Sequence, residues 1–472
     1  MGRLKQWWIR RGQKPVIRPW ALVTPVVVLL LACPLIRPLL DPQGMTSRET
    51  LTLESVRAIL RHGTLALDPN RIPDRSMVFH NGEHFFAPDS PGFSILLAAV
   101  SWGIEQVGID LDDNPVLHEY LLILLGITFP TAMASGLIYR MSRSFELSRL
   151  WRAVLALSSV LGTGWFSYCT VLMPPALATA LVVVSAASLW QVSQSSKPSL
   201  TVGWLSVGGF CAALAGIIDS NALWMLLLLP GISLLLPFAI KTRLTGFLCI
   251  VIGAAAPLVL HITVVSEITG RSFTWSIPQP PTDSMHPIFD KPIISDGSDG
   301  TEPVDASLWL TIGRGINRFI LLTVGAHGFL SHFPVLLLAG VGIGMVLHRH
   351  WGIALKGLAG GVMLGLIGQL IFRMLSPVET ESFAAPMLLS LFPVGMLFIG
   401  AWLRKPHSPL VWTMSGVALG VSVLITVAGA TGPAPQEGFT GYTAVEAFEK
   451  LFFSDQGVRR TSILSLRMDQ FF

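Results

Sequence analysis

Charged residues are scarce in this sequence. Lys, Arg, Asp and Glu make up 13% of the 472 residues, about half of the share that is usual in soluble domains. With a mean hydropathy of +0.62, the chain has too few charges to keep a globular surface wet, which excludes a soluble protein and indicates a membrane protein. The sequence also has no basic patch of the kind that binds nucleic acid, so no nucleic-acid partner is expected.

Cysteine is almost as rare, with four residues in the whole chain. None forms a CxxC pair and all lie within apolar runs, at Cys33, Cys169, Cys211 and Cys249. They are predicted to be buried small apolar residues, which argues against a disulfide framework or a cysteine metal site. No cofactor is predicted, and the sequence leaves the need for a divalent metal open.

Long apolar runs recur from Trp20 to Thr431 and predict an all-α integral membrane domain over residues 20–431, with about eleven transmembrane helices. The basic N-terminus, residues 1–19, is predicted to be cytoplasmic, because Lys and Arg concentrate on that side of a membrane. The same rule places segments 41–117 and 267–307 outside as loops, and residues 432–472 outside as a polar tail. The expected location is the inner, cytoplasmic membrane of a cell, crossed many times.

The first outer segment, residues 41–117, is long for a connection between two membrane helices and is dense in ionisable side chains. Within it, the pattern predicts an amphipathic helix over 50–62 and a short interfacial or re-entrant helix over 92–108. Asn81-Gly82 predicts a hairpin turn between MVFH and EHFF. The segment is therefore a candidate for an outer-face juxtamembrane site.

Glu49 is the leading catalytic candidate, and two interpretations of it stand side by side. In the capping-box pattern from Thr46 to Glu49, its carboxylate would reach back to the Thr46 amide and fix the helix start. Alternatively, it is a general base that activates an acceptor hydroxyl at the membrane face. A carboxylate held by a cap can also face a cavity. Glu54 is the second candidate for a base.

Other polar residues near predicted membrane ends also allow two interpretations. Asp219 either lies at the outer interface or lines a polar cavity. Arg314 and Arg318 suit bidentate contact with a substrate phosphate and equally suit lipid headgroups. His80, Glu83 and His84 are too loosely spaced for a strong metal motif and are expected to be solvated loop residues, so no metal ligands are assigned.

Several segments together resemble a known family. They are ESVRAILRHGTLALD and NGEHFFAPDSPGFSILLAAV in the first outer loop, a crossing that ends at Tyr139-Arg140, FLSHFPVLLLAGVGIGMV, and ESFAAPMLLSLFPVGML. In this order they are similar to the GT-C superfamily of polyprenyl-phosphate-dependent glycosyltransferases. The branch is that of bacterial membrane proteins related to dolichyl-phosphate-mannose mannosyltransferases and aminoarabinose transferases. The resemblance covers roughly residues 20 to 400.

The resemblance implies a GT-C-like bundle in which a sugar passes, with inversion, from a polyprenyl phosphate to an acceptor at the outer face. Carried over by position, the family's acidic pair falls on Arg48 and Glu49, its lysine falls on Asp89 and a later arginine falls on Met387. Three charged positions thus depart from the family pattern. The resemblance then implies Glu49 as the base, with Arg48, Arg314 or Arg318 near the phosphate and with Asp89 and Asp219 lining the cavity.

These departures keep a second hypothesis open, namely a catalytically inactive relative that binds lipid or glycan or assists assembly. A transporter is the third hypothesis. It is disfavoured because the predicted spans carry few charges at their centres. The expected partners are a polyprenyl-phosphate-linked sugar, membrane lipid, and a glycan, lipid or protein acceptor that the sequence does not name.

Overall fold

In the residues that the structure describes, the chain folds into α-helices and one small β-hairpin. The structure is a computed structural model, and it describes residues 20–36, 47–72, 78–82, 84–88, 90–194, 198–271, 315–316, 319–320, 322–325, 328–375 and 386–430. The predicted N-terminal segment 1–19, the tail 432–472 and most of the loop 267–307 lie outside these residues.

The helices follow the apolar runs of the sequence. In chain order they are α1 (Trp20–Ala32), α2 (Ser47–His62), α3 (Pro91–Glu105), α4 (Pro115–Phe145), α5 (Arg149–Leu161), α6 (Trp165–Tyr168), α7 (Pro174–Gln194), α8 (Pro198–Ile218), α9 (Leu223–Leu235), α10 (Ile240–Thr269), α11 (Phe329–His332), α12 (Leu336–His348), α13 (Ile353–Leu375), α14 (Phe392–Leu397), α15 (Ile399–Leu403) and α16 (Pro409–Ala430). Strands β1 (Phe79–Asn81) and β2 (His84–Phe86) pair antiparallel between α2 and α3.

Among the described residues, five helices are long and apolar enough to cross a membrane by length and composition, namely α4, α7, α10, α13 and α16. Shorter apolar helices of 10–17 residues precede these five or lie between them in the chain. Exposed apolar side chains line one face of α16, including Leu410, Met414, Val417 and Leu424. A soluble protein would bury such a face, whereas lipid covers it in a membrane. The chain is an all-α membrane protein.

Most predicted boundaries in the outer segment agree with the structure to within a few residues. The amphipathic helix begins at Ser47 rather than at residue 50, and the interfacial helix runs over Pro91–Glu105 rather than over 92–108. The Asn81-Gly82 turn is confirmed, because Gly82 has a φ of +64° and Asn81 pairs with His84. Positive φ is readily available to glycine, which explains the turn.

One apolar run, predicted as a single helix from Ala153 to Thr170, is broken. Helix α5 ends at Leu161 and α6 begins at Trp165, with Gly164 between them at a φ of +67°. A Cβ at Gly164 would lie 2.8 Å from Cζ of Phe333, so the ring of Phe333 occupies the space that a side chain would need. The hydrophobic run hides this break, because it continues through the turn.

Close backbone approach holds part of the bundle together. Gly209 of α8 lies against the backbone of Ile250 in α10, and Gly253 of α10 lies against the backbone of Ser206 in α8. Any Cβ at these two glycines would collide with the partner helix. Small residues at helix contacts are typical of membrane bundles, where dispersion contacts replace the hydrophobic effect as the main attraction between helices.

Connections between the helices lie at two opposite ends of the bundle. At one end, Glu49 contacts Leu172, and Asn81 Nδ2 donates to the carbonyl oxygen of Ile268 at 2.6 Å. At the other end, Trp190 Nε1 donates to Ser144 Oγ at 2.7 Å. The first end carries the loops predicted to be outside, so we call it the loop-rich end. The second end carries basic residues, among them Arg404, which contacts Glu146 two residues after Ser144, and we call it the basic end.

Candidate functional site

Glu49 lies in the first turn of α2 and is only 8% exposed. Its Oε1 accepts a hydrogen bond from the backbone N–H of Leu172 at 3.2 Å. Leu172 belongs to the connection between α6 and α7, where Pro174 opens α7. The carboxylate is therefore held inside the bundle by a residue distant in sequence. Thr46, the predicted cap partner, lies outside the described residues.

Glu54, the second candidate base, faces a different environment. Its carboxylate forms an ion pair with Arg57, whose Nε lies 3.0 Å from Oδ1 of Asp112. One turn later, Arg61 Nη2 lies 2.7 Å from Asp110 and 3.3 Å from Glu105. Charge-assisted contacts of this kind tie α2 to the end of α3 and to the turn that follows it. Glu54 thus belongs to a cluster of ion pairs that joins α2 to the end of α3. We call this cluster the clamp, and its members are Glu54, Arg57, Arg61, Glu105, Asp110 and Asp112.

The clamp shifts the pKa of Asp110 and the pKa of Arg61. The backbone N–H of Asp112 and the guanidinium of Arg61 hold the pKa of Asp110 below its ordinary value, because both stabilise the carboxylate. The pKa of Arg61 is raised in turn, chiefly by its hydrogen bond to Asp110. Asp110 and Asp112 are exposed, whereas the side chains of Glu54, Arg57 and Glu105 are largely covered, so the clamp joins a surface turn to partly buried charges.

Asp219 ends the connection after α8 and caps the short 3₁₀ turn Ser220–Ala222. Its Oδ1 accepts from the backbone N–H of Asn221 at 2.9 Å and from Asn221 Nδ2 at 2.8 Å. This orients the Asn221 amide so that its oxygen faces away from Asp219 and toward α13. The turn packs against the start of α7, the helix that begins two residues after Leu172. Asp219 and Glu49 therefore belong to the same end of the bundle.

Asn221 is the centre of a polar cluster made by three segments. Arg373 Nη2 donates to Asn221 Oδ1 at 2.9 Å, and Gln369 Nε2 donates to the Asn221 carbonyl oxygen at 3.0 Å. Trp224 Nε1 donates to Ser390 Oγ at 2.9 Å beside them. We call Asn221, Trp224, Gln369, Arg373 and Ser390 the amide–guanidinium cluster. It gathers a cation, amides and a hydroxyl at the loop-rich end.

Two atoms of this cluster are buried and have no hydrogen-bond partner among the residues that the structure describes. They are Nε of Arg373 and Oε1 of Gln369. Leaving a buried polar atom unsatisfied costs about 1–3 kcal/mol, so such atoms are ones that a bound ligand would satisfy. The sequence favours an interfacial anchor at Arg373, because a single arginine after an apolar run is typical of one. Its contact with Asn221 cannot be recognised from the neighbouring sequence, because the two residues are 152 positions apart.

The remaining predicted site residues divide into those that the structure describes and those that it does not. Asp89, Arg314 and Arg318 lie outside the described residues. Ser90, next to Asp89, donates its hydroxyl hydrogen to the carbonyl oxygen of Ile217, two residues before Asp219. Arg48 is partly buried at the start of α2, beside Glu49. The chain thus brings Ser90 and the Asp219 turn to the same place.

A small cleft lies beside α2. Ser55, Phe86, Pro91, Ser94 and Ile268 are among the residues that line it, and its volume is about 10 Å³, roughly the room of one water molecule. Its walls come from α2, the hairpin, the start of α3 and the end of α10. Within the part of the chain that the structure describes, no group of three or more His, Cys, Asp and Glu residues is placed to hold a metal ion. The polar chemistry at this end rests on Glu49 and on the amide–guanidinium cluster.

Comparison with known proteins gives matches among solved structures. Neither protein-family models nor curated protein sequences match this chain. The apo structure of ArnT from Cupriavidus metallidurans is 12% identical, with a TM-score of 0.46, and the match covers 87% of this chain and 63% of that one. ArnT from the same organism bound to undecaprenyl phosphate is 12% identical, with a TM-score of 0.48 and coverage of 91% and 67%.

The oligosaccharyltransferase of Archaeoglobus fulgidus in its apo form is 10% identical, with a TM-score of 0.45, and the match covers 95% of this chain and 60% of that one. The chain thus spans about two thirds or less of the length of these proteins. With TM-scores below 0.5, the activity has to be argued from the residues of this chain. In structure, the chain is similar to ArnT and to the archaeal oligosaccharyltransferase.

Proposed function

We propose that the protein is a glycosyltransferase that moves a sugar from a polyprenyl phosphate to an acceptor at the outer face of the cytoplasmic membrane. One observation carries the proposal. A buried carboxylate, Glu49, and a half-buried guanidinium with an unsatisfied Nε, Arg373, lie at the same end of a helical membrane bundle. A sugar transfer from a lipid phosphate needs a base for the acceptor and a cation for the leaving phosphate.

In the proposed step, Glu49 takes the proton of an acceptor hydroxyl. The hydroxyl oxygen attacks the anomeric carbon from the face opposite the phosphate, and the bond between that carbon and the phosphate oxygen breaks. The configuration inverts, and the electron pair of the broken bond stays on the polyprenyl phosphate. Arg373 stabilises the charge that develops on this phosphate, because a guanidinium binds phosphate oxygens through two parallel N–H groups.

Arg373 also accounts for one departure from the family pattern. Met387 stands where the resemblance leads us to expect an arginine, and its side chain is buried in the core at 6% exposure. The short 3₁₀ turn that contains Met387 packs against α13, the helix that carries Arg373. We propose that Arg373 supplies the cation from this neighbouring helix. Arg48, Arg314 and Arg318 are proposed as further phosphate contacts, and Asp89 and Asp219 as cavity-lining residues.

The geometry of the two acids favours Glu49 over Glu54 as the base. Glu49 is buried inside the bundle, where its carboxylate accepts from the Leu172 N–H, whereas Glu54 is held by Arg57 in the clamp between α2 and α3. The proposed orientation places the N-terminus in the cytoplasm and the loop-rich end outside. The proposed donor is a polyprenyl-phosphate-linked sugar, and the acceptor is a glycan, a lipid or a protein.

A second proposal is a relative that binds the lipid-linked sugar without consuming it. Arg48 supports it, because a cation stands where the resemblance places the first acid of the pair. In this case Glu49 acts as a structural acceptor for the Leu172 amide. The two proposals share the lipid and differ in turnover, so one experiment separates them.

The experiment uses the full chain in lipid nanodiscs with undecaprenyl phosphate carrying hexoses or pentoses, and with membrane extract as a source of acceptor. Mass spectrometry follows the release of undecaprenyl phosphate. Consumption of one donor supports the transferase, and binding without consumption supports the inactive relative. The absence of both binding and consumption would remove both proposals.

Arg373→Gln is the matching variant, and Arg71→Gln is its control. Both remove one positive charge from the loop-rich end, but Arg71 lies on an exposed loop 3.9 Å from Asp68. We expect Arg373→Gln to weaken binding of undecaprenyl phosphate about 10-fold or more, as for loss of a charge-assisted hydrogen bond. The control is expected to bind normally. Equal binding by all three proteins would remove Arg373 from the site.

A further inference from the structure

A second concave site lies at the basic end of the bundle. Arg349, His350 and Trp351 follow α12 and form one wall, and Arg404 and Lys405 follow α15 and form the other. The space between them has a volume of about 260 Å³ and is open to the surroundings. We call these five residues the basic pocket. Nothing in the proposed transfer reaction uses them.

The basic pocket lies far from Glu49. Helix α7 begins just after Leu172, which contacts Glu49, and at Trp190 it reaches Ser144, next to Phe145. The rise from Pro174 to Trp190 is about 24 Å. Phe145 in turn contacts the ring of Trp351 in the pocket wall, with 5.2 Å between ring centroids. The pocket and the candidate active site therefore occupy opposite ends of the bundle.

The pocket has an excess of positive charge. Arg404 Nη2 lies 2.6 Å from Oε2 of Glu146, which offsets one cation. Within the described parts of the chain, no carboxylate forms an ion pair with Arg349 or Lys405. Arg404 also lies over the ring of Trp351, with its Cζ 5.7 Å from the centroid, which orients the guanidinium. Two fixed positive charges therefore remain without a carboxylate in a concave space.

The surroundings of the pocket are those of a membrane interface. Trp402, next to Arg404, stacks on His407 with 4.1 Å between ring centroids and makes an edge contact with Trp412 at 5.2 Å. Tryptophan is enriched where lipid headgroups meet the hydrocarbon region. Leu410, at the start of α16, is 69% exposed, so a lipid-facing surface begins close by in the chain. A ligand in the pocket would have its charged group at headgroup depth.

We infer that the basic pocket binds a phosphate group, presented by an anionic phospholipid or by a soluble phosphate ester. Arg349 and Lys405 would supply the charge, and the Arg404–Trp351 pair would form the floor. Basic pockets between membrane helices on the cytoplasmic side are suited to anionic headgroups. The interfacial tryptophans favour lipid as the source of the phosphate. Such a lipid would bridge the connections after α12 and α15 and stabilise the folded bundle.

The test measures thermal unfolding of the purified full chain in detergent with added phosphatidylglycerol, phosphatidylcholine or inorganic phosphate. A ligand that binds only the folded state raises the Tm in a saturable way. The pocket variant is Arg349→Gln with Lys405→Gln. The control is Arg149→Gln with Lys241→Gln, which removes one arginine and one lysine from exposed positions at the same end, outside the pocket.

We expect phosphatidylglycerol, but not phosphatidylcholine, to raise the Tm of the wild type and of the control. The pocket variant should need on the order of thirty-fold more phosphatidylglycerol for the same shift, from the loss of two basic residues near a headgroup. If inorganic phosphate gives a saturable shift that the pocket variant loses, the site stands and its ligand is a soluble phosphate. An equal response of pocket variant and control would overturn the inference.

Loss of folding in the double variant would be seen as a low Tm without ligand. In that case Arg349→Lys with Lys405→Arg keeps the charge, and each single glutamine variant removes half of it. The charge-keeping variant should need the same amount of phosphatidylglycerol as the wild type for a given Tm shift. Each single glutamine variant should need more than the wild type, but less than a protein that lacks both charges. A Tm shift that stays the same whether or not positions 349 and 405 carry a positive charge would also overturn the inference.

Discussion

Replacing Glu49 by glutamine separates the structural role of this side chain from its proposed chemical role. The Leu172 N–H donates to one oxygen of Glu49 at 3.2 Å, and a glutamine retains an oxygen at that position. We therefore expect the free energy of unfolding to change by no more than about 1 kcal/mol. The variant nevertheless cannot accept a proton from an acceptor hydroxyl at neutral pH.

Loss of a general base lowers a rate by about 10²–10⁴-fold, which corresponds to about 3–5 kcal/mol in the activation barrier. We expect Glu49→Gln to slow release of undecaprenyl phosphate by that factor while it still binds the donor. Glu49→Ala should lose turnover and also stability, by about 1–3 kcal/mol, because the Leu172 amide loses its acceptor. The assay is donor consumption in nanodiscs, combined with thermal unfolding.

Two further variants complete this experiment. Asp68→Asn removes an exposed carboxylate from the same outer segment and should leave turnover unchanged. Glu54→Gln breaks the ion pair with Arg57 and tests the second candidate base directly. Wild-type turnover in Glu49→Gln would refute the reasoning. If Glu54→Gln then abolished turnover, the base would be assigned to the clamp.

The remaining predictions concern the clamp and the break between α5 and α6. Arg61→Gln should loosen α2 from α3 and increase amide hydrogen exchange over residues 106–114, with no such increase in regions remote from the clamp. Because the pKa of Asp110 is lowered in the fold, its stabilising contribution is present above the ordinary carboxyl pKa of 3.8 and is lost as the pH falls through the lower folded pKa. The protection factors of the same amides, which correct each exchange rate for its intrinsic pH dependence, should fall only in that acidic range, and Asp110→Asn should remove this fall. Gly164→Ala should lower the Tm more than Gly63→Ala, since both have positive φ but only Gly164 lies against Phe333. Equal Tm losses would show that backbone strain alone acts at Gly164.

Most of the helical architecture could be predicted from the sequence, because hydrophobic runs and turn residues are local signals. The hairpin at Asn81-Gly82 and the helix over Ser47–His62 are examples. The break at Gly164 could not be predicted, since the apolar run continues through it. The glycine is needed because the ring of Phe333, distant in sequence, fills the space beside it.

The candidate site was only partly predictable for the same physical reason. Glu49 stands out as an acid near the membrane, but the sequence does not indicate its contact with the backbone of Leu172, 123 residues away. Arg373 could not be assigned to a site from the sequence. Its partner Asn221 lies in the distant connection between α8 and α9, where the side chain of Asp219 fixes the orientation of Asn221. Contacts between distant connections depend on how the helices pack, which periodicity does not report.

The short length of α6 matters for a side chain outside it. An uninterrupted helix through this region would use the N–H of Leu172 for its own ladder, as a donor to the carbonyl of Tyr168. Because α6 stops at Tyr168, that amide is available to another part of the chain, and Glu49 receives it. A helix that ends early at one position thus provides a backbone donor for an acid on a different helix, and lengthening α6 would withdraw this hydrogen bond from Glu49 without altering α2.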